Sequence, residues 1–256
     1  MTDPVVIITG AAQGIGYAIA MEIAGRGAHR FCLVDKNASG GAATRDYLAG
    51  IGMQAIFVEA DLREEETPEF VASECVSQLG QINYLVNAAG ITDRASIELA
   101  TFEDWERIFA VNARAPLFLM KECIRQMKAQ GKGGSIVNII SMNVYCGLPE
   151  LGVYSASKAA LWNMTKNAAN AHIKDKVRVN GINVGWVDTP AERHLQDVTM
   201  GGGPGYLAKE GERRPFGRHF SPQDVAKICT LLLFGDGGPI TGSIVDQEQW
   251  VVGASL

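Results

Sequence analysis

Short apolar segments alternate with longer amphipathic segments along most of the chain. The short segments predict strands at Val5–Thr9, Phe31–Asp35, Gln54–Glu59, Tyr84–Asn87, Ser135–Ile140, Val177–Asn183 and Ser243–Asp246. The longer segments predict helices at Ile15–Arg26, Ala38–Ala49, Glu65–Gln78, Phe102–Gln130, Val153–Ile173 and Pro222–Phe234. Apolar strands separated by helices indicate a parallel sheet that is covered on both faces. We therefore predict an α/β protein with one doubly wound sheet, in a single domain spanning residues 1–256.

A polar segment, residues 190–221, interrupts this pattern. Within it, Met200–Gly205 contains four glycines and a proline. The chain after this segment supplies only one predicted helix and one predicted strand, which is too little for a second core. We therefore predict that residues 190–221 form a mobile lid over a ligand site rather than a linker between domains.

The composition narrows the choice of partners. The formal net charge is −5 and no block of Lys and Arg occurs, which argues against binding to nucleic acid. The five cysteines are scattered and the four histidines show no ligand spacing, which argues against a disulfide framework and a metal site. No apolar run approaches the roughly 18 residues of a membrane span, and the chain opens without a signal-like segment. We expect a cytoplasmic protein whose partner is a small molecule, with no membrane partner.

The turn after the first predicted strand, Thr9–Gly16, is rich in glycine and opens a helix. Glycines in this position let the backbone approach a pyrophosphate, and the helix N-terminus offers free N–H groups to it. Asp35 ends the second strand, where a carboxylate accepts hydrogen bonds from ribose hydroxyls and repels a 2′-phosphate. These features, with the uncharged Gln13, favour NAD over NADP. Lys36 is the residue that softens this preference.

Tyr154 and Lys158 are four residues apart in a predicted helix and therefore lie on one face of it. A neighbouring ammonium group favours the phenolate and lowers the pKa of a tyrosine from its usual value of about 10. The phenol then exchanges a proton with an alcohol or a ketone. A Tyr-Lys pair with this spacing also arises by chance, so the surrounding residues must indicate whether it is functional.

With these residues in place, the chain resembles the short-chain dehydrogenase/reductase family over almost its whole length. The matching motifs are Thr9–Gly16, Asp61 with Leu62, Asn87–Gly90, Asn112, Ser141, and Tyr154 with Lys158. Each motif alone is weak, but together and in this order they are highly specific.

The resemblance implies a role for each matching position. Tyr154 would be the general acid and base, and Lys158 would lower its pKa and bind the nicotinamide ribose. Ser141 would orient the substrate oxygen, Asn112 would hold a water molecule that relays protons, and Asp61 would bind the adenine amino group. The other positions implied to bind the cofactor are Gly10, Gln13, Gly14, Ile15, Gly16, Asp35, Leu62, Asn87, Ala88, Gly90, Gly185, Val187 and Thr189.

The chain departs from the family pattern at two places. Val184 stands where the family usually has a proline after the sixth strand, so we expect this loop to lie slightly differently. The C-terminal tail lacks the usual Asp-Gly-Gly, because Asp246 is followed by Gln-Glu-Gln-Trp. Trp250 in this tail is a candidate oligomer contact, and packing against its own core is an equal alternative.

Several polar residues are expected to surround the substrate. Besides Ser141 and Tyr154 they are Asn143, Glu150, Trp186 and Glu192, with Asp93 and Arg94 nearby. Such a site suits a sugar or polyol better than an apolar substrate, because unpaired buried polar groups are costly.

We therefore predict an NAD-dependent oxidoreductase that interconverts a secondary alcohol and its carbonyl form, with a sugar or polyol as substrate. An NADPH-dependent 3-oxoacyl-thioester reductase and a non-catalytic nucleotide sensor are the alternatives. Relatives of this kind are commonly tetramers, so we also expect a homotetramer, with small apolar residues such as Ala159 and Ala160 near the contact.

Overall fold

The strands form one parallel sheet in the computed structural model, which describes residues 3–27, 30–236 and 238–252. The order across the sheet is β3-β2-β1-β4-β5-β6-β7. The strands are β1 Val5–Thr9, β2 Arg30–Asp35, β3 Gln54–Glu59, β4 Tyr84–Asn87, β5 Gly134–Ile139, β6 Val177–Val184 and β7 Ile244–Gln247. The predicted fold class is confirmed. The ends of the predicted domain, 1–2 and 253–256, lie outside the described residues, and the single domain stays a prediction.

Nine helices accompany the sheet in the described part of the chain. They are α1 Gly14–Gly25, α2 Ala38–Gly50, α3 Thr67–Leu79, α4 Phe102–Phe109, α5 Ala115–Gln130, α6 Gly152–Ala171, α7 Pro190–His194, α8 Tyr206–Glu212 and α9 Pro222–Phe234. Most boundaries agree with the predicted ones to within about two residues, which is the usual scatter at helix ends.

Two apolar layers cover the sheet, one on each face. Alternate residues of β1 belong to different layers: Val5 and Ile7 pack on one side, Val6 and Ile8 on the other. The first layer is covered by α3, α5 and α6, and the second by α1, α2 and α9. Because the central strands are buried on both faces, most of their residues are apolar instead of alternating, and buried polar residues such as Asn138 and Asn180 are hydrogen-bonded.

Local sequence signals fix where two of the helices begin. The Thr101 hydroxyl accepts a hydrogen bond from the amide of Asp104, and the Asp104 carboxylate accepts one from the Thr101 amide. Ser221 and Asp224 form the same reciprocal pair at the start of α9. Each pair satisfies two amide groups that a helix N-terminus leaves without partners.

The prediction of one helix over Phe102–Gln130 is wrong in its middle. A π-helical turn, Ala110–Arg114, separates α4 from α5 and contains Asn112. Pro116 follows at the start of α5 and has no amide hydrogen to donate to the Asn112 carbonyl four residues earlier. The regular hydrogen-bond ladder therefore breaks here, and such breaks are frequent at functional sites.

The segment 190–221 contains more regular structure than its composition predicts. Thr189 caps α7 by accepting a hydrogen bond from the Glu192 amide at 3.1 Å, and Pro190 occupies the first turn. A π-helical turn, Leu195–Thr199, continues α7, and α8 follows the glycines. The role of this segment as a lid stays a prediction.

β6 runs one residue beyond its predicted end. Val184 pairs with Gln247 of β7, and the amide of Gly185 donates to the Gln247 carbonyl at 2.9 Å. The last strand lies at Ile244–Gln247, one residue later than predicted. Trp250 beyond it is 40% exposed, so its own core does not fully cover it.

The order of strands reverses between β1 and β4. β1 connects onward to β2 and β3 on one side, whereas the chain returns to β4 on the other side of β1. At such a point the loops diverge and leave a crevice at the carboxyl ends of the strands. The fold therefore predicts its ligand site beside Thr9 and Asn87.

Replacing Arg178 with alanine should destabilise the fold. Its guanidinium donates to the carbonyls of Leu232 and Leu233 at 2.6 and 2.7 Å, at the C-terminus of α9. Loss of these charged hydrogen bonds should lower the free energy of unfolding by about 2–3 kcal/mol. Urea denaturation measures this change. Arg45→Ala, which removes an exposed pair with Asp46, is the control and should change it by less than about 0.5 kcal/mol. Equal losses in the two variants would refute this role for Arg178.

Candidate active site

A cleft of about 1170 Å³ opens at the carboxyl ends of β1, β4 and β5. The sequence-predicted site residues line it, with two exceptions, Asn87 and Asn112. The side chain of Asn87 is buried and donates to Asn138 Oδ1 at 2.8 Å, so it joins β4 to β5 instead of facing a ligand. The residues that follow it, Ala88–Gly90, line the groove.

The glycine turn brings α1 very close to β1. A Cβ atom on Gly16 would lie 2.2 Å from the carbonyl oxygen of Gly10, so no other residue fits there without a backbone shift. Gly10 and Gly14 have φ values of 69° and 59°, the left-handed region that glycine adopts without strain. The sequence prediction of close packing between helix and strand is therefore met.

The N-terminus of α1 is open toward the cleft. No side chain caps this helix, and its first turn contains no acidic residue. The free amide groups and the positive end of the helix dipole therefore suit a phosphate group. This turn fits the pyrophosphate of a dinucleotide.

The Asp35 carboxylate is fixed at the end of β2. It accepts hydrogen bonds from the amides of Ala12 at 3.0 Å and Asn37 at 2.9 Å. Asp61, at the same end of the cleft, forms an ion pair with Arg63 at 2.6 Å, and hydrogen bonding from Arg63 lowers the pKa of Asp61. Both carboxylates already have hydrogen-bonding partners within the chain.

Tyr154, Lys158 and Ser141 meet at the deep end of the cleft, and all three are buried. The Ser141 side chain lies near enough to the Tyr154 phenol to lower its pKa, and it accepts a hydrogen bond from the Asn143 amide at 3.2 Å. Lys158 Nζ lies 6.0 Å from the centre of the Tyr154 ring and donates to the Ile139 carbonyl at 3.1 Å. The spacing of four residues therefore places both groups on one helix face, as predicted.

The pKa of Tyr154 differs from the sequence prediction. We expected Lys158 to lower it, but in the structure burial raises the pKa of the Tyr154 phenol, and the Ser141 side chain offsets only part of that rise. Burial also lowers the pKa of Lys158, to about 8, so its ammonium group carries a full charge only below that pH. Desolvation thus outweighs attraction between the two groups.

Asn112 lies behind the cleft and holds the loop after β4. Its Oδ1 accepts from the Ile91 amide at 3.0 Å, and its Nδ2 donates to the Ile91 carbonyl at 2.9 Å and to Ser157 Oγ at 3.1 Å. Gly90 leaves room for this arrangement, because a Cβ there would lie 3.2 Å from Lys158 Nζ. Both polar atoms of the Asn112 side chain thus have partners within the protein, and Pro116 cannot donate to the Asn112 backbone carbonyl.

The predicted substrate residues surround the opening above Tyr154. Trp186 Nε1 donates to Glu192 Oε1 at 2.7 Å, and Gln196 Nε2 donates to the same oxygen at 2.8 Å. The guanidinium of Arg214 lies 5.2 Å from the centre of the Trp186 ring. These contacts fix Glu192 at the wall of the cleft.

Sequence analysis missed several residues that line this opening. They are Gln196, Tyr206, Arg214 and Glu248. Gln196 follows Glu192 by four residues, a spacing that signals contact only if the segment is helical. Because the segment was interpreted as a loop, that signal was overlooked.

The model of the family described as "short chain dehydrogenase" matches residues 4–198. The chain belongs to the short-chain dehydrogenase/reductase family. Members of this family bind a nicotinamide cofactor, NAD or NADP, and act as oxidoreductases on CH–OH groups. The glycine turn, the open helix N-terminus and the cleft described above fit such a cofactor.

Several relatives in this family are similar over nearly the whole chain. A probable galactose dehydrogenase, GalD, from Rhizobium meliloti is 36% identical over 242 residues, covering 94% of this chain and 92% of that protein. A galactitol 2-dehydrogenase from Agrobacterium fabrum is 32% identical over 260 residues, covering 98% and 99%. The crystal structure of an NAD⁺-bound xylitol dehydrogenase superimposes with a TM-score of 0.87 at 24% identity, covering 97% and 99%. That structural likeness shows the shared fold.

Two further features concern metal ions and membranes. No group of three or more His, Cys, Asp or Glu in the described residues has the arrangement of a metal site. Over the same residues, no helix combines the length and apolar character needed to cross a membrane.

Gly16→Ala should damage both the fold and the dinucleotide site. The added Cβ meets the Gly10 carbonyl, so the free energy of unfolding should fall by about 1–3 kcal/mol. Binding of NADH, followed by fluorescence, should weaken at the same time. Gly25→Ala in the same helix meets no atom within 4 Å, and it should retain binding and change stability by less than about 1 kcal/mol. Normal NADH binding by Gly16→Ala would contradict the close packing.

The buried Lys158 should make stability depend on pH. Its folded-state pKa of about 8 lies below the ordinary value of 10.5, so the folded chain binds fewer protons than the unfolded chain between these values. The destabilisation caused by its buried charge is therefore complete below pH 8 and disappears as the pH rises toward 10.5. Lys158→Met, which carries no charge, should exceed the wild type in stability by up to roughly 3 kcal/mol at pH 7.

Urea denaturation of both proteins between pH 7 and about 10.5 tests this linkage. The stability advantage of Lys158→Met should shrink as pH rises, whatever its size at pH 7. A difference that stays constant over this range would show that the Lys158 pKa is not lowered.

Proposed function

We propose that this protein is an NAD-dependent dehydrogenase that interconverts a sugar or polyol hydroxyl with its carbonyl form. The meeting of Ser141 and Tyr154, both buried, at the deep end of a cleft that begins with a glycine turn carries this proposal. Lys158 one helical turn from Tyr154 completes a group that can orient an alcohol and move its proton.

Each residue of this group has a defined task. The Ser141 hydroxyl donates a hydrogen bond to the substrate oxygen, and Tyr154 exchanges a proton with that oxygen. When bound, a nicotinamide cofactor would supply the hydride chemistry. Lys158 would hold the nicotinamide ribose, and the Asn112 carbonyl would hold the water molecule of the proton relay. The break in the helix at Pro116, which removes a regular donor to that carbonyl, supports this last role.

The raised pKa of Tyr154 sets a direction for the pH dependence. Below its pKa the phenol is protonated, which is the form that donates a proton during carbonyl reduction. Oxidation of an alcohol needs the phenolate. The rate of oxidation should therefore increase as the pH rises above neutral.

The choice of NAD rests on Asp35. Its carboxylate lies at the end of β2, next to the glycine turn, and would repel a 2′-phosphate while accepting hydrogen bonds from ribose hydroxyls. Lys36 and Arg63 also line this end of the cleft. They are the residues that would favour an NADPH-dependent 3-oxoacyl-thioester reductase, the first alternative.

The polar cleft supports a polyhydroxylated substrate. Asn143, Glu150 and Glu192 line the opening above Tyr154, and Trp186 offers a flat face next to them. Carboxylates and amides of this kind pair with several hydroxyls at once, whereas an apolar substrate would leave them unpaired. The relatives named for galactose and galactitol point to the same class of substrate.

A homotetramer is the proposed assembly. A groove of about 510 Å³ lies between α5 and α6, and Leu117 and Phe118 beside it are 42% and 41% exposed. These exposed apolar residues of α5, beside the groove that it forms with α6, favour a contact with a second copy of the chain. Analytical ultracentrifugation measures the number of subunits.

The test of function is a panel of alcohols with NAD⁺ and NADP⁺, followed by absorbance of the reduced nicotinamide. We expect galactose, galactitol or xylitol to reduce NAD⁺ faster than NADP⁺. Tyr154→Phe should lower this rate by at least about 100-fold and leave NADH binding intact. A preference for NADP⁺ with a hydroxyacyl thioester would favour the first alternative. Binding of NADH without reduction by any alcohol would favour a non-catalytic sensor.

A further inference from the structure

Arg94 is an arginine of the cleft whose guanidinium has no carboxylate partner among the described residues. Its Nη1 donates to the Thr92 carbonyl at 3.0 Å, and its Nε, which is shielded from solvent, has no acceptor. The neighbouring Asp93 is bound instead to Arg107 at 2.8 Å. No carboxylate of the described residues compensates the charge of this guanidinium, so an anionic ligand in the cleft would be its partner.

The position of Arg94 is fixed relative to Tyr154. The amide of the next residue, Ala95, donates to the Glu150 carbonyl at 2.9 Å, and the amide of Val153 donates to the Ala95 carbonyl at 3.1 Å. Ala95 and Val153 are both buried. The loop that carries Arg94 is therefore joined to the start of α6, the helix that carries Tyr154.

The acidic residues of the opening do not neutralise Arg94. Glu192 is bound to Trp186 and Gln196, and neither it nor Glu150 forms an ion pair with Arg94. Nη1 is bound to Thr92 and Nε is shielded from solvent, so Nη2 is the guanidinium nitrogen left for a ligand in the cleft. A charged guanidinium N–H group pairs more strongly with a carboxylate than with an uncharged oxygen.

We infer that Arg94 binds a carboxylate of the substrate, so that the reacting hydroxyl belongs to a polyhydroxylated acid, such as a uronic or aldonic acid. This inference rests on the proposed function, since it concerns the substrate of the same site. The carboxylate accepts a hydrogen bond from Arg94 Nη2, and the hydroxyls of the same molecule reach Ser141 and Tyr154. A neutral sugar offers Nη2 only an uncharged, weaker acceptor.

Calorimetric titration of the NADH-bound protein tests this inference without turnover, because an alcohol cannot be oxidised in that complex. The probes are D-galacturonate and D-galactose, which share a ring and differ in the carboxylate. The acid should bind at least about 10-fold more tightly than the neutral sugar. Arg94→Gln should remove this preference by weakening galacturonate about 10-fold and galactose by less than about 3-fold.

Two further variants separate a contact of the Arg94 guanidinium from a general effect of charge. Arg94→Lys keeps the charge but loses the planar guanidinium and its bond to Thr92, so it should recover only part of the preference. Arg214→Gln removes another arginine of the cleft that has no ion pair among the described residues, and it should leave the preference for the acid in place. NADH should bind to all of these variants as it does to the wild type.

The possible outcomes distinguish the two proposals. Equal affinity of the wild type for both sugars, no binding of either, or an equal loss of both in Arg94→Gln would overturn the inference about Arg94. The proposed function fails on a different result, the absence of NAD⁺ reduction by every alcohol of the panel. Reduction of NAD⁺ by neutral polyols alone would leave the dehydrogenase standing and refute the acidic substrate.

Discussion

The site depends on the close approach of a buried lysine to the loop that follows β4. Lys158 extends from α6, donates to the Ile139 carbonyl at the end of β5, and lies against Gly90. Any side chain at Gly90 would meet both the Lys158 ammonium and the Asn112 amide. One helix, two strand ends and one loop are thus held at fixed distances. These distances determine the shape of the cleft above them.

Electrostatics at this point are governed by burial more than by neighbouring charge. The phenol of Tyr154 and the amine of Lys158 both shift toward their neutral forms, because removing them from water disfavours ionisation. Sequence spacing shows only that the two groups are neighbours. It contains no measure of how much water surrounds them, and for that reason the direction of the Tyr154 shift was predicted wrongly.

The strands and most of the long helices were predictable because they have strong, repeated signals. Buried central strands are mostly apolar, and helices such as α9 begin at clear capping residues. The glycine turn and the pair Tyr154 and Lys158 were found for the same reason, since their chemistry requires fixed spacings.

The remaining features depend on contacts that lie far apart in sequence or on one unusual residue. The helices of segment 190–221 were missed because its glycines and polar residues resemble those of a loop. The Asn87 side chain faces Asn138 of β5 rather than the cleft, and only the pairing of β4 with β5 reveals this. The break around Asn112 could have been suspected from Pro116, which lacks an amide hydrogen inside an otherwise helical pattern.

The paired hydrogen bonds between Asn112 and Ile91 have a meaning beyond the helix break. An amide side chain that both donates to and accepts from one backbone residue reproduces the rung of a β-ladder. The loop after β4 has left the sheet at this point, yet Asn112 serves it as a neighbouring strand would. The Asn112 side chain thus extends the hydrogen-bonding pattern of the sheet by one residue. The Ile91 backbone, next to Gly90, is held by two hydrogen bonds as it would be in a strand.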